Sequence, residues 1–375
     1  YKSIQGANNI IGNYTSTTCD QTAINQIVGE AYFLRALDYY WLVRLWGNVP
    51  LITSAAYDPA VLTIGTTGTK EIYQFIESDL ANATKLMANM PLTTGRASKG
   101  AAIALLADVY LTEAGWPLND QSKYALAATT AKQVIDNKAH YGFDLVPDFY
   151  TLWANLYAGT PVAEEVFALH ACATCGNYNS IFGNSSIQSE EGGWDDYFSE
   201  ITFFNEFPAG IRKNITFTTS ITKADGTVLP WQNNAVKHPY FGKFRVGTKE
   251  VTYTTNGTQS LIRYSHLLLI YAEAQARSES TVNPQSYAYI NAIRKRAGLA
   301  DLSGMTKDNF INAVINERAW EFAGESTRWF DLVRLQLLAQ VNAKRNVNEI
   351  PIIGPVKYTF PIPLNDVLLN PNLGK

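Results

Sequence analysis

The chain has 375 residues, 46% of them hydrophobic, enough to bury a large core as one big domain or two intimate ones. Its 30 Lys and Arg against 33 Asp and Glu give a net charge of −3, and without a dense basic run to neutralise a row of phosphates, nucleic acid is not an expected partner. No apolar run reaches ~18 residues, so no segment is expected to span a bilayer.

Charged residues are only 17% while aromatics reach 12%, with 21 Tyr and 8 Trp, a balance that suits an extracytoplasmic binding protein better than a highly charged cytosolic one. Cys19 stands alone, and Cys172 and Cys175 form a single Cys-x-x-Cys with no second pair or histidine at zinc spacing. The thiols therefore read as buried or incidental, neither metal-binding nor redox-active, and the fold is expected to need no metal or disulfide.

Residues 1–11 place Tyr1, Ile4, Asn8 and Ile11 at helical spacing with no cap before them, so the sequence is expected to begin inside a domain. Tyr1-Lys2-Ser3-Ile4 has neither the basic start nor the apolar stretch of a signal peptide. Residues 22–46 are apolar nearly all round, with Glu30, Arg35, Asp38 and Arg44 as the few charges; this predicts a helix buried on most sides and stopped by Gly47-Asn48-Val49-Pro50. Further helices are expected over 70–90, 98–114 and 122–137, the second carrying Ala101, Ala102, Ala104 and Ala107 where a neighbour can approach closely. Short antiparallel helices with small residues at their contacts stack as tetratricopeptide-like hairpins, here irregular because the strict repeat signature is absent.

Over residues 141–259 glycine, asparagine, threonine and aromatics replace helical periodicity, with short strand-like runs at 165–170 and 248–255. A loop-rich stretch of that length on a rigid scaffold usually carries function. Helices resume over 261–277, 285–297, 307–323 and 326–338, and a proline-punctuated extended tail covers 358–373. Glu317, Arg318, Glu321, Glu325, Arg328, Asp331 and Arg334 alternate in charge at spacings of three and four, which reads as helices laced by ion pairs rather than as catalytic carboxylates. Trp41, Trp46, Trp320 and Trp329 lie on periodic helices and are expected in the core.

Six segments follow one another in a telling order. EAYFLRALDYYWLVRLWGNVPLIT (30–53) sets Arg35-Ala36 before an aromatic run and a Gly-x-Val-Pro-Leu stop; KGAAIALLADVYL (99–111), LIRYSHLLLIYAEAQAR (261–277), INAIRKRAGL (290–299), INERAWEFAGESTRWFDLVRL (315–335) and FPIPLNDVLLNPNL (360–373) come after it. Together they resemble the SusD/RagB family across essentially the whole chain. Ser265-His266 departs from a frequent Ala-Glu, and Pro208-Ala209-Gly210-Ile211-Arg212 stands where Asp-Pro-Arg is common.

The resemblance implies a mostly α, SusD-like fold: a single domain over 1–375, with tetratricopeptide-like helical hairpins in 1–140, a loop-rich ligand-binding part with short strands in 141–260, and C-terminal helices and tail in 261–375. It also implies an outer-membrane lipoprotein on the extracellular face, held to the membrane only through a lipid anchor on a leading segment not in this chain. Its partners would be an oligosaccharide and a SusC-type TonB-dependent transporter; in the RagB-like branch the cargo is peptide instead.

Pyranose rings stack their C–H faces on aromatic rings, and their hydroxyls need amides, carboxylates or guanidinium groups. Gly193-Trp194-Asp195-Asp196-Tyr197 offers both within five residues, with Gly192-Gly193 expected to loosen the backbone, so Trp194, Asp195 and Tyr197 are the first candidates. Asn177 and Tyr178 form a second cluster and Trp231 a third, while Trp153, Tyr157 and Tyr240 share the same region. No catalytic residue, metal ligand or cofactor is expected, with bound calcium left open. The competing readings are a glycoside hydrolase using Asp195 with Glu200 or Glu206, and a pure protein-binding scaffold. Against the hydrolase, His140, His170, His238 and His266 are scattered and no hydrolase motif occurs.

Overall fold

The computed structural model describes every residue except Thr17, Tyr57, Ala224, Lys249, Glu250, Ile353 and Lys375. Helix accounts for 54% of the chain and strand for 7%, as the periodicity implied. Contacts gather the residues into two compact units, one of Tyr1–Gly142, Leu332–Gln336 and Pro355–Lys375, the other of Phe143–Asp331 and Leu337–Gly354.

The first unit is built from α1 (Lys2–Asn13), α2 (Gln21–Trp46), α3 (Thr69–Leu86), α4 (Lys99–Glu113), α5 (Lys123–Asp136) and the single turn α6 (Lys138–Tyr141). α2 begins where the Asp20 carboxylate accepts the Ala23 N–H at 2.9 Å, and it ends at Gly47, whose φ of 73° suits a residue without a Cβ. Successive helices pack as hairpins, α1 on α2, α2 on α3, α3 on α4 and α4 on α5. Ala101, Ala102, Ala104 and Ala107 are fully buried at those contacts. Arg35 of α2 donates twice to Asp79 of α3, at 2.8 Å each, and once to Asn8 of α1 at 2.7 Å, which satisfies a buried guanidinium and locks three helices together.

The second unit starts with α7 (Phe149–Ala158), a helix absent from the sequence expectation for this region. Asp148 caps it, accepting the Thr151 N–H at 2.7 Å, and Gly159 stops it at φ 70°. β1 (Glu165–Leu169), α8 (Ile201–Glu206), α9 (Ile211–Thr216), β2 (Phe217–Thr218), β3 (Ser220–Thr222), β4 (Val228–Pro230), β5 (Tyr240–Phe241) and β6 (Gln259–Arg263) follow, then α10 (Tyr264–Ser278), α11 (Pro284–Arg296) and α12 (Lys307–Glu321). The strands form three antiparallel ribbons, β1 with β6, β2 with β5 and β3 with β4. Trp153 of α7, only 1% exposed, packs with Phe149, Phe182, Phe207, Phe217 and Phe244 in an aromatic core.

Several expectations need correcting. Trp153 and Tyr240 are core residues, and Trp41, Trp46, Trp320 and Trp329 are half-buried rather than internal. No strand forms among the described residues of 248–255, of which Lys249 and Glu250 lie outside the description. The helix expected from 261 begins only at Tyr264, after β6, and that expected over 326–338 is divided into α13 (Arg328–Arg334) and α14 (Leu338–Asn342), with Gln336 between them at φ 54°. The tail contains α15 (Leu364–Leu369), with Pro363 as its N-cap, so it is not extended throughout.

The charged C-terminal helices are structural: Arg318 donates to Asp331 at 2.9 Å within the predicted series, while the glutamates find partners outside it. Glu317 and Glu321 of α12 and Glu325 just beyond it turn inward to Arg212, Arg263, Arg296 and Lys243, all buried. Glu164 completes the cluster with Arg263 and Arg296. Burial pushes the Lys243 ammonium down to about 8, against the pull of Glu325 at 2.7 Å. Arg212 closes the segment 208–212 that departs from the resemblance's pattern, and the departing Ser265 belongs here too: its hydroxyl accepts from Arg263 at 2.8 Å.

Candidate functional site

The β1–β6 ribbon sets the geometry of an exposed aromatic cluster in the loop-rich region. Leu169 pairs with Gln259 at its open end, so the segments after Leu169 and before Gln259 leave the ribbon side by side. They are then fastened to one another. The Ala173 N–H donates to the Asn256 side chain at 2.8 Å, the Asn179 N–H to the Thr255 carbonyl at 3.1 Å, the Thr255 hydroxyl to the Asn179 carbonyl at 2.6 Å, and the Asn179 amide to the Gly257 carbonyl at 3.0 Å. This places Tyr178 edge-on to Tyr253, with ring centroids 5.5 Å apart and planes at 75°.

Trp194 arrives from a third segment. Its N–H donates to the Asn184 carbonyl at 2.9 Å, and the neighbouring Gly183 lies so close to the Thr252 carbonyl that a Cβ there would sit 2.1 Å from the oxygen. At Gly193 a Cβ would lie 2.0 Å from the Ile187 carbonyl oxygen. Gly193 therefore tightens the backbone instead of loosening it. The Trp194 ring ends 6.4 Å from that of Tyr253, the planes only 19° apart. Trp194 and Tyr253 are each 50% exposed and Tyr178 46%, so three rings form one continuous aromatic surface open to solvent.

Of the candidates read from the sequence, Trp194 and Tyr178 meet on this surface, with Asn177 exposed beside Tyr178 in the chain. Asp195 is turned inward: at φ 56° its carboxylate accepts the Ser189 N–H at 2.8 Å and the Tyr240 hydroxyl. Burial first, and then Asp195, hold the Tyr240 phenol far above its usual range. Tyr197 packs on Phe241 and Phe244 and donates to the Gly324 carbonyl, and burial pushes it up to about 12. Both residues shape the frame under Trp194. Trp231 is half-buried and edge-on to Phe204 at 5.8 Å, away from the trio's own ring contacts. Tyr253 was missed because Thr252-Tyr253-Thr254 alternates like a strand. Its position among threonine, asparagine and glycine is the same signal that singled out Tyr178.

Cys172 and Cys175 are joined in a disulfide, which corrects the expectation of incidental thiols and of a fold without disulfide. Cys172 caps and Cys175 ends a three-residue 3₁₀ turn (Ala173–Cys175), so neither lies at the start of an α-helix that would stabilise a thiolate. Among the described residues no group of three or more His, Cys, Asp or Glu side chains could hold a metal ion. Glu200, like Asp195, is committed, accepting the Phe203 N–H at 2.6 Å and the Asn346 N–H at 3.3 Å. A cavity of about 680 Å³ in the first unit, lined by Leu42, Trp46, Ile52, Ile64 and Leu373, is poor in free polar groups. Asn370 there donates to the Ile64 carbonyl and Tyr1 to that of Pro50, so the cavity suits sugar hydroxyls badly.

Comparison with known proteins adds an independent view. A family model described as the SusD family matches residues 173–375, and one described as "Starch-binding associating with outer membrane" matches residues 1–111. SusD-like protein P2 of Formosa agariphila is 29% identical over 407 aligned residues, which take in 100% of this chain and 78% of that protein. The crystal structure of a SusD superfamily protein from Parabacteroides distasonis superposes with a TM-score of 0.83 at 28% identity, covering 99% of this chain and 82% of the other. A laminarin-binding SusD-like protein superposes with a TM-score of 0.81 at 24% identity, covering 98% and 82%.

Proposed function

This chain belongs to the SusD family, and from that premise we propose that it is a cell-surface protein that captures oligosaccharide and delivers it to a SusC-type TonB-dependent transporter. The observation that carries the reading is the surface of Trp194, Tyr253 and Tyr178, three half-exposed rings fixed by backbone contacts. Pyranose C–H faces stack on such rings, and the exposed Asn177 and Asp196 supply partners for hydroxyls at their edge. The similarity to a laminarin-binding protein supports a glycan as ligand. The family description supports association with the outer membrane, where the protein would face outward and be held by a lipid anchor.

The protein works by binding, not turnover. Asp195 and Glu200, two carboxylates a glycoside hydrolase would need free, hold N–H groups of the frame. Three rings bury little area on a sugar, so affinities from roughly micromolar to millimolar are expected. A glycan array followed by isothermal titration calorimetry tests the reading. Trp194→Ala and Tyr253→Ala should each weaken oligosaccharide binding by about 1–3 kcal/mol with the melting temperature unchanged. Undiminished affinity in both variants would remove this surface from the site. Capture of peptides with no glycan retained would place the protein in the RagB-like branch, and sugar release on long incubation would make it an enzyme.

A further inference from the structure

We propose that the disulfide-closed turn Cys172–Cys175, with Asn256, is the positioning element of the aromatic surface, holding Tyr178 against Tyr253 before any ligand arrives. The inference rests on the reading of that surface as the glycan site.

Tyr178 follows a loop that packing does not hold. Residues 174–178 are exposed, Gly176 turns the chain at φ 76°, and a Cβ built on it would meet nothing within 4 Å. What closes the loop is internal. The Asn177 N–H donates to the Cys172 carbonyl at 3.1 Å, the Cys172 N–H donates back to the Asn177 carbonyl, the Cys175 N–H reaches the same Cys172 carbonyl at 3.0 Å, and the disulfide spans the turn. Exposed backbone bonds of this kind exchange readily with water and contribute little each. The covalent link removes the open conformations that would compete with them.

A closed loop must also be aimed, and that falls to Asn256. Its side chain accepts the Ala173 N–H at 2.8 Å from inside the turn, three residues beyond Tyr253 in the chain. The opposite flank of Tyr178 is held by the Asn179–Thr255 pair. Tyr178 thus sits between two attachments to the segment that carries Tyr253, one of which passes through the disulfide turn. Without the turn Tyr178 keeps one attachment, and its ring has to be ordered by the ligand.

The test compares the oxidised protein with Cys172→Ser/Cys175→Ser and with Asn256→Ala, using calorimetry against the oligosaccharide that binds best on the array. Both variants should lose about two- to tenfold in affinity, the cost of ordering one side chain on binding. In a Tyr178→Ala background neither change should weaken binding further, because Tyr178 is the ring they position. A general structural role would leave the losses additive there. Wild-type affinity in the cysteine variant, or additive losses in the Tyr178→Ala background, would overturn the proposal while the Trp194→Ala and Tyr253→Ala losses still upheld the site. If those two variants bind normally, the site reading itself fails. Should the cysteine variant not fold, Asn256→Ala alone decides, since it leaves the disulfide in place.

Discussion

Replacing Glu321 by glutamine tests the buried ionic cluster of the second unit most directly. The carboxylate accepts from Arg296 at 2.5 Å and from Arg263 and Arg212 at 3.0 Å each. Burial alone would raise its pKa, but Arg296, Arg263 and Arg212 together outweigh burial and hold it at about 2, against an ordinary 4.5. The depressed value means that the ionised carboxylate contributes to the stability of the folded state. Because the folded protein takes up this proton less readily than the unfolded chain, the contribution is whole above pH ~4.5 and is lost as pH falls from there towards about 2. In Glu321→Gln the shape is nearly kept, but three guanidiniums lose an anionic acceptor with no water to replace it. Stripping one partner from a buried ion pair costs about 3–5 kcal/mol. Urea unfolding at neutral pH reads this through tryptophan fluorescence, since the Lys243 ammonium lies 4.2 Å over the Trp153 ring within the same unit. A loss below about 1 kcal/mol, or a variant that keeps the wild-type acid slope, would refute the reasoning.

Trp153→Ala should destabilise the second unit by about 3–5 kcal/mol through the cavity it leaves among Phe149, Phe182 and Phe244, a loss read by thermal melting, whereas Trp194→Ala should leave the melt unchanged. An equal effect of the two would mean that the surface and core assignments are wrong. Gly193→Ala should cost about 2 kcal/mol, because its Cβ meets the Ile187 backbone, and should displace Trp194 enough to lower glycan affinity. A variant with native stability and affinity would show that the close approach is not needed.

What the sequence revealed followed local rules. α2 and α4 were legible because long apolar, charge-poor runs can only be buried helices here, the first stopped at Gly47 and the second marked by Ala101, Ala102, Ala104 and Ala107. α7 was hidden by its composition: FYTLWANLYA is aromatic enough to pass for loop or strand, although Asp148 and Gly159 bracket it with ordinary helix signals. Missing that helix also misplaced Trp153, since only a helical face explains why its ring turns inward while Trp194 stays outside. The pair Arg318–Asp331 lies within the charged series read from the sequence, but the glutamates' partners were not legible, for Glu164 meets Arg296 across 132 residues. Spacings of three and four say nothing about such contacts. Asp195 was misread for a related reason: a carboxylate beside a tryptophan looks like a ligand group until Tyr240, 45 residues on, claims it.

These long-range contacts also explain how an open aromatic surface is kept in shape. The β1–β6 ribbon has Glu164 and Arg263 at one end, both without exposure and bound to each other. At the other end, a strand of five residues or about 16 Å away, its two chains run into the segments bearing Tyr178 and Tyr253. The ionic cluster therefore fixes the root of the ribbon, and the hydrogen bonds around Asn179, Thr255 and Asn256 fix its tip. Rings held in this way meet a sugar without first losing conformational freedom, because that cost has been absorbed in folding. The weak affinity expected of such a surface then follows from its small contact area rather than from disorder.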